Sequence, residues 1–267
     1  VRQDPTSTDL GIALHMNDTN ELPHGRALPA RSLFALARDA DGRANPDAPP
    51  FPGFRDEGLQ FLRDLADHNE RDWFKPRKQT FVDECQWPLR CLVADCTRQA
   101  AHRGLPLGGD AKTSVFRVYR DTRFSKNKNP YKTHVSAVLS RSGGKKEPGS
   151  VYVHVEPGKS FLAAGYWFPE RDLLRAWRDR LAHDPASFLN VVRHIEDAGL
   201  TLSTRESLKR MPRGYNDYAD SEVAEYLRWK GAIVTRDVAD ADVQTPAFTT
   251  AVLDFAEASL PLLSFGW

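Results

Sequence analysis

The stretch RVYRDTRFSKNKNPYKTH, Arg117 to His134, concentrates the groups best suited to chemistry in this chain. Seven of its eighteen residues are Arg, Lys or His, and Asp121 is its one acid. A guanidinium presents a planar fork matched to phosphate or carboxylate, and an ammonium adds a mobile point charge. The pattern is that of an anion site, with Arg117, Arg120, Arg123, Lys126 and Lys128 as candidate ligands. Asp121 is the candidate organiser, because clustered guanidiniums repel unless a carboxylate holds them. Were the site catalytic, the arginines would stabilise developing negative charge and Tyr131 or His134 would move a proton. Asp121, Tyr131 and His134 are therefore the catalytic candidates, and whether the chain is an enzyme stays open. A plainer reading uses the same residues: a network tying a long loop to a sheet, anchored by Phe124 and Tyr131.

Other constellations are weaker. LKRMPRGY places Lys209, Arg210 and Arg213 in a rigid basic turn that could close over the same anion. His134 and His154, with Glu156 or Asp121, are metal-ligating types, but HxH and HExxH spacings are absent and no metal is expected. GxxxxGK[ST], GxGxxG and GxSxG are absent too, which removes the common nucleotide and hydrolase signatures, and no cofactor is implied.

The elements that must position these groups follow from pattern. Residues 1–52 are polar and rich in proline, ending ANPDAPPFPGF, and read as a flexible extension; residues 53–267 read as a single domain. His15-Met16 reads as either a start or a cloning junction. DEGLQFLRDLADHN repeats leucine at helical spacing, and the following segment to Gly104 reads as a long helix with Asn69 as its cap and breaks at Pro76 and Pro88. Period two then takes over in TSVFRVYR, KTHVSAVLSR, SVYVHVEP and SFLAAGYWFP. Their short connections require antiparallel pairing. Helical periodicity returns from PERDLLRAWRDRLAHD onward, interrupted by a short strand, GAIVTRDV. The fold class is α+β: a mainly antiparallel central sheet packed against amino- and carboxy-terminal helices. Alternation puts Val151, Val153 and Val155 on one face and gathers Arg117, His134 and His154 on the other. In SFLAAGYWFP, Gly165 marks a packing bulge or a close ligand approach.

The RVYRDTRFSKNKNPY stretch resembles the signature RxxRDxRFxx[DN]KxxY of an uncharacterised bacterial family, domain of unknown function 2461. Arg117, Arg120, Asp121, Arg123, Phe124, Asn127, Lys128 and Tyr131 meet its eight fixed positions. FLRDLADHNERDWF resembles the family's opening helix and its Asn-x-Arg-x-Trp-Phe turn, and VYVHVEPGKSFLAAGYWFPE and LKRMPRGY extend the similarity over roughly Phe54 to Phe265. The segment NDYADSEVAEYL lacks the family's usual His-Pro. The resemblance implies a shared fold and site and brings no activity with it.

Composition bounds the partners. The chain has 267 residues, with 37 Lys plus Arg against 36 Asp plus Glu, so no global cationic field favours nucleic acid. No run approaches the ~20 apolar residues of a membrane span. Cys85, Cys91 and Cys96 advance about 240° and 140° around a helix and share no face, which predicts reduced thiols packed in a core. With no secretory signal pattern, a cytoplasmic location is expected. A small anionic ligand is the leading partner. The rival is a nucleic-acid or protein-interaction module in which the same cations, with Tyr119, Phe124 and Tyr131, contact phosphates and stack bases.

Overall fold

The computed structural model describes residues 49–123, 125–167 and 170–267. Its sheet has four strands in the order β1 (Val135–Leu139), β2 (Ser150–Val155), β3 (Ser160–Tyr166) and β4 (Ala232–Val238), every neighbouring pair antiparallel. Helices α1 (Asp56–Asp67), α2 (Arg71–Phe81) and α3 (Trp87–His102) precede it. Between β3 and β4 come α4 (Arg171–His183), α5 (Pro185–Asp197) and the short α6 (Ala224–Arg228); α7 (Asp240–Val243) and α8 (Phe248–Phe265) close the chain. This is the α+β arrangement expected from the pattern.

The core follows from alternation in the strands. Val151, Val153 and Val155 are at most 2% exposed and pair with Leu139, Ala137 and Val135 on one side. On the other side Val151 and Val153 pair with Ala164 and Leu162. Helix α8 lies against β2 and β3, and α3 against β1 and α8. With a mean hydropathy of 1.2 over 18 residues, α8 is long and apolar enough to cross a membrane, and 56% of it is buried within this fold. That composition suits a core helix touched by strands and helices alike.

Three details depart from the sequence reading. Phe51, assigned to the extension, is 1% exposed; its ring packs against Phe54 and Phe248, and its amide donates to the buried Asp95 at 3.2 Å. Packing thus already includes Phe51, whose proline-rich setting hid it, while residues 1–48 of the expected extension lie outside the described residues. Pro76 does not break α2; the interruption is a wide π turn at Val82–Gln86, after which Pro88 starts α3. There Gly58 allows α1 to approach closely, since a Cβ would stand 2.4 Å from the Glu84 carbonyl oxygen.

The third departure matters most for the site. The run from Thr113 to Arg120 is no strand of the ladder but an edge segment touching β1 and its approach at Val115↔Ala137 and Tyr119↔Tyr131. Four residues separate Val115 from Tyr119, whereas six separate Tyr131 from Ala137, so the facing chain carries two extra residues. They bulge at Lys132–His134 and break the pairing. Val115 and Val118 are buried at a spacing of three, which alternation forbids. The missing fourth strand is β4.

Cys85, Cys91 and Cys96 are free and buried, as expected for core thiols. Burial pushes all three thiols up, Cys91 to about 12, leaving them protonated and inert.

Candidate functional site

Helix α2 carries Arg71, Phe74, Lys75 and Lys78 at spacings of three, one and three, which places them on one face. That face and the edge segment enclose a cleft of about 360 Å³, completed by Tyr119, Arg120, Thr122, Pro130 and Tyr131. Four of its nine lining residues are cationic and none is acidic. Its floor is aromatic: the Phe74 and Tyr131 rings stack at 4.1 Å, with Tyr119 5.5 Å from Tyr131. Tyr119 is 48% exposed at the rim, and Tyr131 only 4%.

Asn69 builds this cleft rather than capping a helix. Its side-chain amide donates to the Tyr131 carbonyl at 3.1 Å and accepts from the Tyr131 amide at 3.0 Å, mimicking a strand partner. Asn69 is itself buried, and the α2 cap position falls to Glu70. On the far side, the Arg120 amide donates to Pro130 and the Lys132 amide to Val118, at 2.9 and 2.8 Å. Residues 121–123 and 125–129 therefore belong to a loop closing two short arms, and the cleft lies where this loop meets α2.

Of the expected anion ligands, only Arg120 lines the cleft. Arg123 pairs with Asp121 at 2.7 Å, Lys128 donates to the Thr122 carbonyl at 2.9 Å, and the Asn127 side chain accepts from the Asn129 amide at 2.9 Å. These contacts staple the loop internally. Arg117 and Lys126 are exposed and outside the cleft lining, and Phe124 lies outside the described residues. Lys209 and Arg210 follow a segment that meets the outer edge of β4 at Ser203↔Ile233 and the chain just ahead of β4 at Ser207↔Trp229. The cleft borders the opposite edge, so the basic turn stands across the whole sheet from it.

Asp121, the candidate organiser, holds one arginine of the cluster, Arg123, and does so at the surface. Its side chain is 44% exposed, and it accepts from both the amide and the side chain of Arg123. Those bonds bring its carboxyl down to about 2. A partner two residues away needs no tertiary structure, which is why the pair forms on the surface. Asp121→Asn is accordingly expected to melt within a degree or so of the parent at neutral pH. The pair's small contribution is present above the ordinary carboxylate value of 3.8 and fades as pH falls toward 2. A clear drop in melting temperature at pH 7 would restore the organising role.

Tyr131 and His134 part company. Tyr131 faces the cleft, and burial, with Tyr119 and Asp72, raises its phenol against the pull of Arg71. It is a hydrogen-bond donor at neutral pH. His134 lies on the sheet face opposite the valine core, its ring 4.1 Å from that of His154. Burial, His154 and Lys132 bring His134 down to about 4, so its imidazole is neutral at pH 7. His154 in turn meets Glu156 at 3.1 Å and Tyr152 at 3.2 Å, and the Thr133 hydroxyl donates to Glu156 at 2.9 Å. The gathering of His134 and His154 on one face was readable from alternation; their closeness depended on register.

Arg71, Lys75 and Lys78 escaped the sequence reading, although their spacing on one helical face was the available signal. Gly165 is explained by packing: a Cβ there would stand 2.1 Å from the Ala232 carbonyl oxygen of β4.

Together these features define an α+β protein with one antiparallel sheet and a cationic, aromatic-floored cleft between its second helix and a basic loop. The chain belongs to the family described as conserved hypothetical protein (DUF2461), which matches residues 57–265. Both halves of the cleft fall within that span. No curated protein and no solved structure matches the chain.

Proposed function

We propose that the cleft binds a small ligand carrying a phosphate or carboxylate group. The observation that carries this reading is the lining itself: Arg71, Lys75, Lys78 and Arg120 surround about 360 Å³ with no acid among them. Holding four cations around one space costs stability through mutual repulsion, which an anion relieves. The volume suits a small molecule. Tyr119 offers an exposed face to a planar portion, and the protonated Tyr131 phenol a donor.

A thermal-shift series with inorganic phosphate, pyrophosphate, citrate and a mononucleotide tests this. A ligand at 100 times its dissociation constant adds about 2.7 kcal/mol, or roughly 5–10 °C for a domain of this size. At least one probe is expected to produce such a shift. Arg120→Lys should diminish it although charge is kept, because an ammonium lacks the bidentate fork. Probes that leave the melting temperature unmoved, or a shift indifferent to Arg120→Lys and Lys75→Ala, would remove the reading.

The exposure of Tyr119 favours one second reading, a single nucleic-acid strand whose bases stack on that ring. It predicts affinity that grows with oligonucleotide length and falls steeply with salt, whereas a small ligand gives a shallow salt dependence.

A further inference from the structure

We propose that His134, His154 and Glu156 form a site for a borderline first-row divalent cation of the zinc, cobalt or iron(II) class. The site sits on the sheet face opposite the valine core, and the proposal is independent of the cleft reading. One ligand atom from each residue lies within 4.8 Å of the others, and His154 Nε2 and Glu156 Oε2 are already 3.1 Å apart. A tetrahedral ion with bonds of about 2.0–2.2 Å holds its ligands about 3.3–3.5 Å apart. Side-chain rotation of His134 closes the remaining distance. No local sequence motif announces the set because the three residues come from β2, its following turn and the bulge before β1. Strand register assembles them: Ser136 pairs with His154, and the extra residues at Lys132–His134 carry the His134 ring over it.

The atoms not needed for an ion are already held as the outer partners of a metal site hold them. Thr133 Oγ1 donates to Glu156 Oε1 at 2.9 Å, leaving Oε2 for the ion. The Tyr152 hydroxyl meets His154 Nδ1 at 3.2 Å, leaving Nε2 for the ion. Phe161 stacks on the His154 ring at 4.5 Å and fixes its plane. Two imidazoles and one carboxylate favour zinc-like ions over magnesium or calcium, which prefer oxygen throughout. Three protein ligands leave one tetrahedral position open.

The test uses the full chain, stripped with chelator, dialysed, and titrated with Co²⁺ by visible absorption and with Zn²⁺ by calorimetry. Expected is a single saturable equivalent with visible d–d bands and no intense near-ultraviolet thiolate band, which would instead place the ion at the cysteines. His134→Gln and Glu156→Gln should abolish the bands, and Thr133→Val should weaken binding by about 10–100-fold. His154→Ala removes a buried ring and is read only if its circular dichroism matches the parent; His134→Gln, at a less buried position, decides otherwise. Zn²⁺ should raise the melting temperature of the parent and not of Glu156→Gln. Absence of saturable binding, a thiolate band, or binding that survives both glutamine variants would overturn the site and leave a plain histidine–glutamate hydrogen bond.

Discussion

An Asn69→Ala protein is expected to lose about 2–5 kcal/mol of stability and to lose the cleft with it. Two hydrogen bonds join the Asn69 side chain to the backbone of Tyr131, and both partners are buried. Alanine leaves one amide and one carbonyl without a partner, and each such group costs about 1–3 kcal/mol. Because Tyr131 also stacks on Phe74, its release frees the aromatic floor from α2. Asn69→Asp separates the two bonds: it keeps an acceptor for the amide but aims a carboxylate at the carbonyl. It should therefore be no better than alanine, while Asn69→Ser falls between. Urea midpoints measure the order, and an unchanged midpoint for Asn69→Ala would show that the loop holds Tyr131 unaided.

Gly165→Ala is expected to be at least as damaging, at about 3 kcal/mol or more. The residue sits at φ +129°, where an L side chain is strained by about 1–3 kcal/mol before any contact is counted. A Cβ would in addition stand 2.1 Å from the Ala232 oxygen and 2.9 Å from Ile233 Cα, both backbone atoms of β4. Neither yields by rotating a side chain, so β4 must move away from β3 and give up the Gly165↔Ile233 pairing. Gly104 provides the control. It also has positive φ, +69°, but nothing lies within 4 Å of its would-be Cβ, so Gly104→Ala carries conformational strain alone. Thermal unfolding should place Gly165→Ala far below Gly104→Ala; equal melting temperatures would mean the sheet absorbs the methyl group.

What the sequence made legible was whatever depends on local period. Val151, Val153 and Val155 announce a strand with one wet face bearing His154, and the alternation of Val135 and Ala137 puts His134 on the same side. The helix of the Leu59, Leu62 and Leu65 face reads just as directly. What stayed hidden depends on partners far along the chain. Asn69 before a helical run looks like a cap, and nothing nearby says that its partner is Tyr131, 62 residues on. The Thr113–Arg120 run alternates like a strand until the bulge opposite it spoils the register, and a bulge belongs to the pair rather than to either segment. The arginines and Asp121 drew attention by their types, yet the structure spends Arg123, Lys128 and Asp121 on the loop's own shape. The cleft's other cations lay on a helix where charged residues are usually mere solvated surface.

The broken pairing beside β1 also bears on how readily the sheet could be extended at its margins. An exposed strand edge is a row of unpaired amides and carbonyls that invites another chain to add itself. Here the edge of β1 is met by Val115 and Gly108, and the edge of β4 by Ser203, through separate bridges rather than a continuous strand. Each outer strand is thus occupied without a fresh straight edge being created beyond it. The end of β4 past these bridges carries Arg236 and Asp237, charges that discourage stacking of a further strand. Irregularity at both margins makes a four-stranded sheet finite.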